Sequence, residues 1–426
     1  MCIRDRTALA VSRIVADFEI PADVRELRSR VAEFVDTVIK PVEPQIGTRP
    51  FFDIVKEVQH QARAAGLWCP FVPVEYGGMG LGHLANAIVQ VEVGRSFTHL
   101  AAWAMNCMGP QDATMLTLID HGTEEQKRRY LTPLVNGDIR ICFAMTERAA
   151  GADATGMQTT GTRHGSTWIL NGEKWFASGA SISQLALVMA KTDPDAPRHR
   201  QYTTFLVELP DPGFEIVRNI PVMGEDAEPS FEGEVTMGHA EVQIHDLAIA
   251  EENILGGRGA GFAIGQHRLG YGRLRHGMWS VAKAQEALDM AASRACERVT
   301  FGERLADRQG IQWMLADCAE KLYVTRLMIL HIANKMERGA DLRQENSIAK
   351  TYIANMLCDV IDTALQIHGS LGYTRDVPLA AWLNEARANR ILDGPDEVHR
   401  WTVGRNVVKA FERDGTTAAA AGGELF

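Results

Sequence analysis

The sequence predicts an α+β protein in which a helical segment, a β segment and a second helical segment succeed one another along 426 residues. Three observations carry this. Apolar residues recur at helical spacing from 21 to 138, short β-type runs with turn residues replace them from 139 to 255, and the helical period returns from 256 to 413. Each boundary is a change of period. Hydrophobic residues make up 46% of the chain, enough to fill more than one core.

In the first segment VRELRSRVAEFVDTVI sets Val24, Leu27, Val31, Phe34, Val35 and Val38 on one helix face, and TEEQKRRYLTPLVNG opens on Thr123 as a cap with an acidic first turn. The glycines of VEYGGMGLG at 74–82 precede no Lys-Ser or Lys-Thr, so they mark a turn rather than a phosphate loop. In the middle segment Asn171-Gly172 is a turn signal between the strand-like halves of STWILNGEKWF. LALVMAKT, TTFLVEL, FEIVRNI and AEVQIHDLAI follow as further strands, which predicts a β-barrel or sandwich. GGRGAGFAIG at 256–265 lies between a β segment and a helix, outside any βαβ unit, and reads as a flexible connector. In the last segment Ile311, Leu315, Cys318 and Leu322 share one face, as do Ile353, Leu357, Val360, Ala364 and Ile367, the pattern of an antiparallel four-helix bundle. Residues 1–20 read as a poorly ordered leader beginning with the aperiodic MCIRDR, and 414–426 as a mobile tail.

A net charge of −10 disfavours a polyanionic partner. Seven dispersed cysteines without a C-x-x-C pair indicate neither a disulfide framework nor zinc, and TALAVSRIVA at 7–16 is interrupted by Arg13 and lacks a cleavage pattern. No run approaches the length of a membrane span, so a cytoplasmic protein is expected. His276, His368 and His399 have no ligand spacing and predict no metal site. One short run stands out. In ILDGPDEVHR at 391–400, Asp393-Gly394-Pro395-Asp396-Glu397 is an excellent turn and helix start, with Pro395 at the first helical position, and equally a place for a catalytic carboxylate.

The chain resembles the acyl-CoA dehydrogenase family from about 20 to 413. VPVEYGGMGLG at 72–82, HGTEEQKRRYLTPLVNGDI at 121–139 and MTERAAGAD at 145–153 carry the first half of the match. NGEKWFASG at 171–179, RVTFGERLADRQGIQWMLAD at 298–317 and ALQIHGSLGYTRDVPL at 364–379 carry the second. NCMGPQDATM at 106–115 and LDGPDEVH are most similar to the branch of family members ten and eleven and their bacterial relatives. The resemblance implies an acyl-CoA dehydrogenase-like fold with FAD as cofactor and an acyl-CoA as substrate, oxidised to the trans-2-enoyl-CoA with hydride transfer to flavin N5. The position of the family's Glu base is matched by Asp393, with Gly394 allowing close approach of the thioester. Some members carry the base on another helix, at the position of Gly272, where glycine cannot serve.

For FAD the resemblance points to Phe143, Met145, Thr146, Phe176 and Ser178 around the flavin ring, with Pro395 and Glu397 at the helix start beside it. Arg298 and Phe301 would reach the pyrophosphate and adenine, and Gln366, Gly369 and Ser370 would do so from a neighbouring subunit, which implies a homo-dimer or homo-tetramer. Ala152 replaces a serine found at the substrate in relatives, and Arg273 in QHRLGYGRLRHG at 266–277 would lie near the CoA portion. The remaining basic residues of that stretch read as a solvated helix start. The implied electron acceptor is an electron-transfer flavoprotein. Two alternatives stand beside this reading: a nitroalkane oxidase-like oxidase of a small carbon acid, and a non-catalytic DNA-associated flavoprotein resting on that one basic stretch.

Overall fold

A computed structural model describes residues 20–224 and 237–422, so the leader, except its last residue, lies outside the described residues. The first helical region contains α1 (Ala22–Phe34), α2 (Phe51–Ala64), α3 (His83–Val93), α4 (Leu100–Ala104), α5 (Gln111–His121), α6 (Glu124–Gln126) and α7 (Thr132–Asn136). Val31, Phe34 and Val35 turn into a core with Ile54, Val58, Leu100 and Trp103, as the helical period requires. Thr123 caps α6 in a capping box with Gln126, each side chain satisfying the other's backbone N–H.

The middle region is one connected sheet of β1 (Ile141–Ala144), β2 (Thr160–His164), β3 (Thr167–Ser178), β4 (Leu185–Lys191), β5 (Tyr202–Glu208), β6 (Phe214–Asn219), β7 (His239–Ala250) and β8 (Ile254–Leu255). The order is β6-β7-β3-β2-β4-β5-β8, and β1 joins β4 in parallel. Trp168 and Leu170 of β3, Val188 of β4, Phe205 of β5 and Val242 of β7 meet in a sandwich-like core. Asn171-Gly172 is not a turn. β3 runs through it as a bulge, because Asn171 exchanges hydrogen bonds with the Asp246 backbone N–H (2.8 Å) and carboxylate (3.0 Å) on β7, and the chain reverses at 165–166 instead.

The last region holds α8 (Gly261–Glu297), α9 (Gln309–Glu337), α10 (Arg343–His368), α11 (Leu379–Ala388) and α12 (Asp396–Asp414). The expected flexible connector is in large part helix. A Cβ on Gly261 would stand 2.8 Å from the Thr203 carbonyl carbon, so this glycine lets the start of α8 lie directly on β5. Lys321 pairs with Asp359 at 2.7 Å, Arg326 donates to Gln285 at 2.6 Å and Asn406 donates to Gln344 at 2.8 Å, which fixes α9 and α12 antiparallel to α8 and α10. The tail is not wholly free: Ala420 is buried and its carbonyl accepts from Gln344 Nε2 at 2.7 Å. Among the described residues no helix is long and apolar enough to cross a membrane.

Candidate functional site

Asp393 stands on the loop between α11 and α12, at the edge of a cleft of about 490 Å³, open mouth included, lined by Arg273, His276, Ile329, Ala349 and Lys350. Its backbone is left-handed, φ 53°. Such a conformation persists in a non-glycine residue only where surroundings enforce it, and here the carbonyl accepts from Arg273 Nε (2.9 Å) and faces His399 Nε2 (3.2 Å). Gly394 follows at φ 98°, and a Cβ on it would come within 2.8 Å of His399 Nε2. Its glycine is thus demanded from inside the protein, a reason beyond approach of a thioester. Pro395 is the residue before α12 rather than its first helical residue.

The three carboxylates of the run have separate fates. Asp396 is 1% exposed, accepting from Lys350 (3.1 Å), Arg390 (3.0 Å) and Asn355 (2.9 Å). Burial raises its pKa, but these donors outweigh that and hold it below the usual range. Glu397 is exposed in the first turn. The Asp393 carboxylate meets no hydrogen-bond donor among the described residues; the His276 imidazole stands beside it, Nε2 to Oδ2 3.7 Å. Burial pulls His276 down to about 4 against the Asp393 charge, so the imidazole is neutral at physiological pH. A Cβ on Gly272 would lie 3.1 Å from Asp393 Oδ2, so both base positions of the family open onto one spot.

The basic stretch is not a solvated helix start. Arg268 and Arg275 are buried: Arg275 pairs with Asp112, and Arg268 donates to Thr114 Oγ1 (3.1 Å) and the Pro110 carbonyl (3.3 Å). Burial lowers Arg268 to about 10, still fully charged at neutral pH. Its guanidinium lies 4.2 Å from the Phe143 ring centroid. Since residue 268 is one turn from residue 272, about 6 Å along α8, this contact draws β1 up to the Asp393 edge.

On the sheet, Phe143 lies in β1 and Met145 and Thr146 follow it, and the Trp175 backbone N–H donates to the Thr146 carbonyl at 2.7 Å. Beneath them Lys174 and Glu147 form a fully buried pair at 2.8 Å, and Lys174 also donates to the Met145 carbonyl (3.1 Å). Burial lowers Lys174 to about 8, and Glu147, despite its own burial, is kept ionised by Lys174 and the Gln158 N–H. The β3–β7 pairing breaks after Lys174, which throws Phe176 outward at φ 57° with its ring exposed. Ser178 Oγ lies 2.7 Å from His239 Nδ1. Ala152 is exposed in the loop after the Glu147 turn.

Arg298, Phe301, Gln366, Gly369 and Ser370 are not brought to this place. All five are exposed, Phe301 at 98%. Gly277 packs toward Ile353, so α8 and α10 run side by side in one direction and end together. Gln366 is 16 residues past Lys350, about 24 Å along the helix. Within one subunit both sets occupy the same end of the bundle.

The chain matches the acyl-CoA dehydrogenase N-terminal domain over residues 21–138, the middle domain over 142–237 and the C-terminal domain over 259–408. It is 35% identical over 422 residues to FadE2 of Mycobacterium tuberculosis, a probable acyl-CoA dehydrogenase, covering 95% of this chain and 99% of that protein. The chain belongs to the acyl-CoA dehydrogenase family. To mouse acyl-CoA dehydrogenase family member 10 it is 34% identical over 407 residues, 92% of this chain but 37% of that longer protein. The butyryl-CoA dehydrogenase structure from Megasphaera elsdenii matches with a TM-score of 0.79 at 26% identity, covering 92% of this chain and all of that one. Family membership makes the protein an oxidoreductase with FAD as its cofactor.

The acyl-CoA dehydrogenase residues here suit that cofactor: an exposed aromatic face at Phe176 beside the Thr146 and Ser178 hydroxyls fits a flat, partly polar ring. Arg298 has no carboxylate within ion-pair distance among the described residues, as a pyrophosphate ligand would need. Four participants escaped the sequence reading: His276, His399, His239 and the Lys174–Glu147 pair. In the sequence His276 reads as one of the basic residues of 266–277 and, like His399, as a histidine without ligand spacing, and no local pattern ties either to Asp393. Among the described residues no cluster of His, Cys, Asp and Glu could hold a metal ion.

Proposed function

We propose that the protein catalyses α,β-dehydrogenation of an acyl-CoA thioester to the trans-2-enoyl-CoA, with Asp393 as the base. The observation that carries this reading is the Asp393 carboxylate itself, free of hydrogen-bond donors at the edge of a cleft while its backbone is fixed. Its Oδ2 takes the proton from Cα. The Asp393 N–H, without a hydrogen-bond partner among the described residues, is left to donate to the thioester oxygen and stabilise its charge as the enolate forms. Bound FAD supplies the acceptor for the hydride that leaves Cβ. Phe143, Met145, Thr146, Phe176 and Ser178 would hold its ring, with Pro395 and Glu397 beside it, while Gly394, Ala152 and Arg273 border the substrate.

Because Arg298, Phe301, Gln366, Gly369 and Ser370 sit far from Asp393 in their own subunit, they would complete the FAD site of a partner, making the enzyme a homo-dimer or homo-tetramer. Electrons then pass to an electron-transfer flavoprotein, and the enzyme works in the cytoplasm. The burial of Arg268 and Arg275 removes the basic face a DNA-associated role would need. The test is anaerobic mixing of the FAD-loaded protein with a panel of acyl-CoAs. One or more should bleach the flavin, and Asp393→Asn should cut that rate by about 10² to 10⁴ while retaining FAD and acyl-CoA. Near-normal reduction by Asp393→Asn refutes the base assignment.

A further inference from the structure

Asp393 is held in its left-handed conformation through a single carbonyl that serves two helices: Arg273 of α8 donates to it at 2.9 Å, and His399 of α12 stands 3.2 Å away. The imidazole is buried, and its other nitrogen lies 3.2 Å from Ser347 Oγ on α10. Three bundle helices therefore converge on the peptide that follows Asp393. Burial first, then the charge of Arg273, lowers His399 to about 4, so the ring is neutral with one proton to place. Since Nε2 faces a carbonyl, the proton belongs there, and Nδ1 is left as an acceptor beside Ser347 Oγ, whose one proton it shares with the Arg343 carbonyl at 2.9 Å. Gly394 leaves the ring its room, because any Cβ would stand 2.8 Å from Nε2.

We propose that His399 is a positioning residue for Asp393: braced by Ser347, it fixes the Asp393–Gly394 peptide and with it the direction of the catalytic carboxylate. This rests on Asp393 being the base. With the imidazole gone, Arg273 alone holds the carbonyl, and the peptide can pivot about it. A carboxylate displaced by about 1 Å loses its near-attack geometry at a cost of roughly a hundredfold in rate. Substrate affinity should change little, since the ring is buried behind the loop.

The test uses FAD-loaded enzyme, anaerobic stopped-flow and an acyl-CoA that reduces the wild type, in ordinary and α-deuterated form. His399→Ala should lower the saturating reduction rate by about 10- to 100-fold, leave the acyl-CoA Kd nearly unchanged and raise the isotope effect as proton abstraction becomes more limiting. His399→Gln, whose amide N–H reaches toward the same carbonyl, should recover most of the rate. In an Asp393→Asn background His399→Ala should cost nothing further, since a residue acting through another adds no loss once that one is gone. If His399→Ala fails to retain FAD, Ser347→Ala, which leaves the imidazole in place and removes the hydroxyl at Nδ1 together with its bond to the Arg343 carbonyl, should still show about a fivefold loss with the raised isotope effect. Wild-type rates in the retained variant, or a further loss in the Asp393→Asn background, overturn the proposal alone. Normal reduction by Asp393→Asn itself overturns the base reading and this proposal with it.

Discussion

Replacing Asp396 by asparagine keeps the shape of the side chain and removes the one negative charge shared by Lys350 and Arg390. As a bare helix-dipole partner Asp396 would be worth roughly 0.3 to 1 kcal/mol. The structure assigns more. Both Asp396 and Lys350 are almost completely buried, and taking one partner from a buried pair typically costs about 3 to 5 kcal/mol. Shedding the Lys350 proton at pH 7, from an ordinary lysine pKa of about 10.4, would cost about 4.6 kcal/mol and so sets a ceiling. We expect a loss of about 3 kcal/mol, a factor of roughly 150 in the unfolding equilibrium, read by urea denaturation with FAD saturating. The pH dependence has a definite sign. Asp396 has a depressed pKa in the folded state, so its contribution is complete above the unfolded value of about 3.9 and is lost as pH falls through the folded value. The gap between wild type and variant should stay level from pH 8 to about 5 and narrow only below about 4. A loss under about 1 kcal/mol would show that the Lys350–Asp396–Arg390 group adds nothing beyond the dipole.

Gly394→Ala places a side chain at φ 98° and against His399, so we expect about 2 kcal/mol of destabilisation and slower flavin reduction; an alanine variant as stable as wild type in the same titration would contradict the packing. Arg298→Ala should weaken FAD binding by about tenfold or more, the worth of hydrogen bonds to a charged group, measured by flavin fluorescence titration. Unaltered affinity would remove Arg298 from the cofactor site.

Strand and helix periods made the fold legible. LALVMAKT reads as a buried strand and forms β4 in the centre of the sheet, and Ile353, Leu357, Val360, Ala364 and Ile367 are all buried along α10. Asn171-Gly172 misled because its partner Asp246 lies 75 residues away, and local turn preference says nothing about a cross-strand hydrogen bond. The arginines of α8 misled for the same reason: Asp112, Thr114 and Pro110, which take them in, lie more than 150 residues upstream. Asp393 was reached through its resemblance to the family's base, since its ten-residue neighbourhood is equally a helix start. His399 went unread because it acts through the carbonyl of a residue six positions earlier, a contact created by the left-handed turn between them.

The 3.1 Å separation between the position of a Cβ on Gly272 and Asp393 Oδ2 bears on how the family could have moved its base from one helix to another. An acid introduced at 272 while Asp393 remains would press two carboxylates into one space, where like charge drives one of them to hold a proton at neutral pH. On the proposed assignment, an acid removed from 393 first would leave the site without its base. With Asp393 proposed as the base, an acid at 272 and an acid at 393 are alternatives rather than companions: the glycine here keeps open the space that the aspartate there occupies, so the two positions can be exchanged only as a pair.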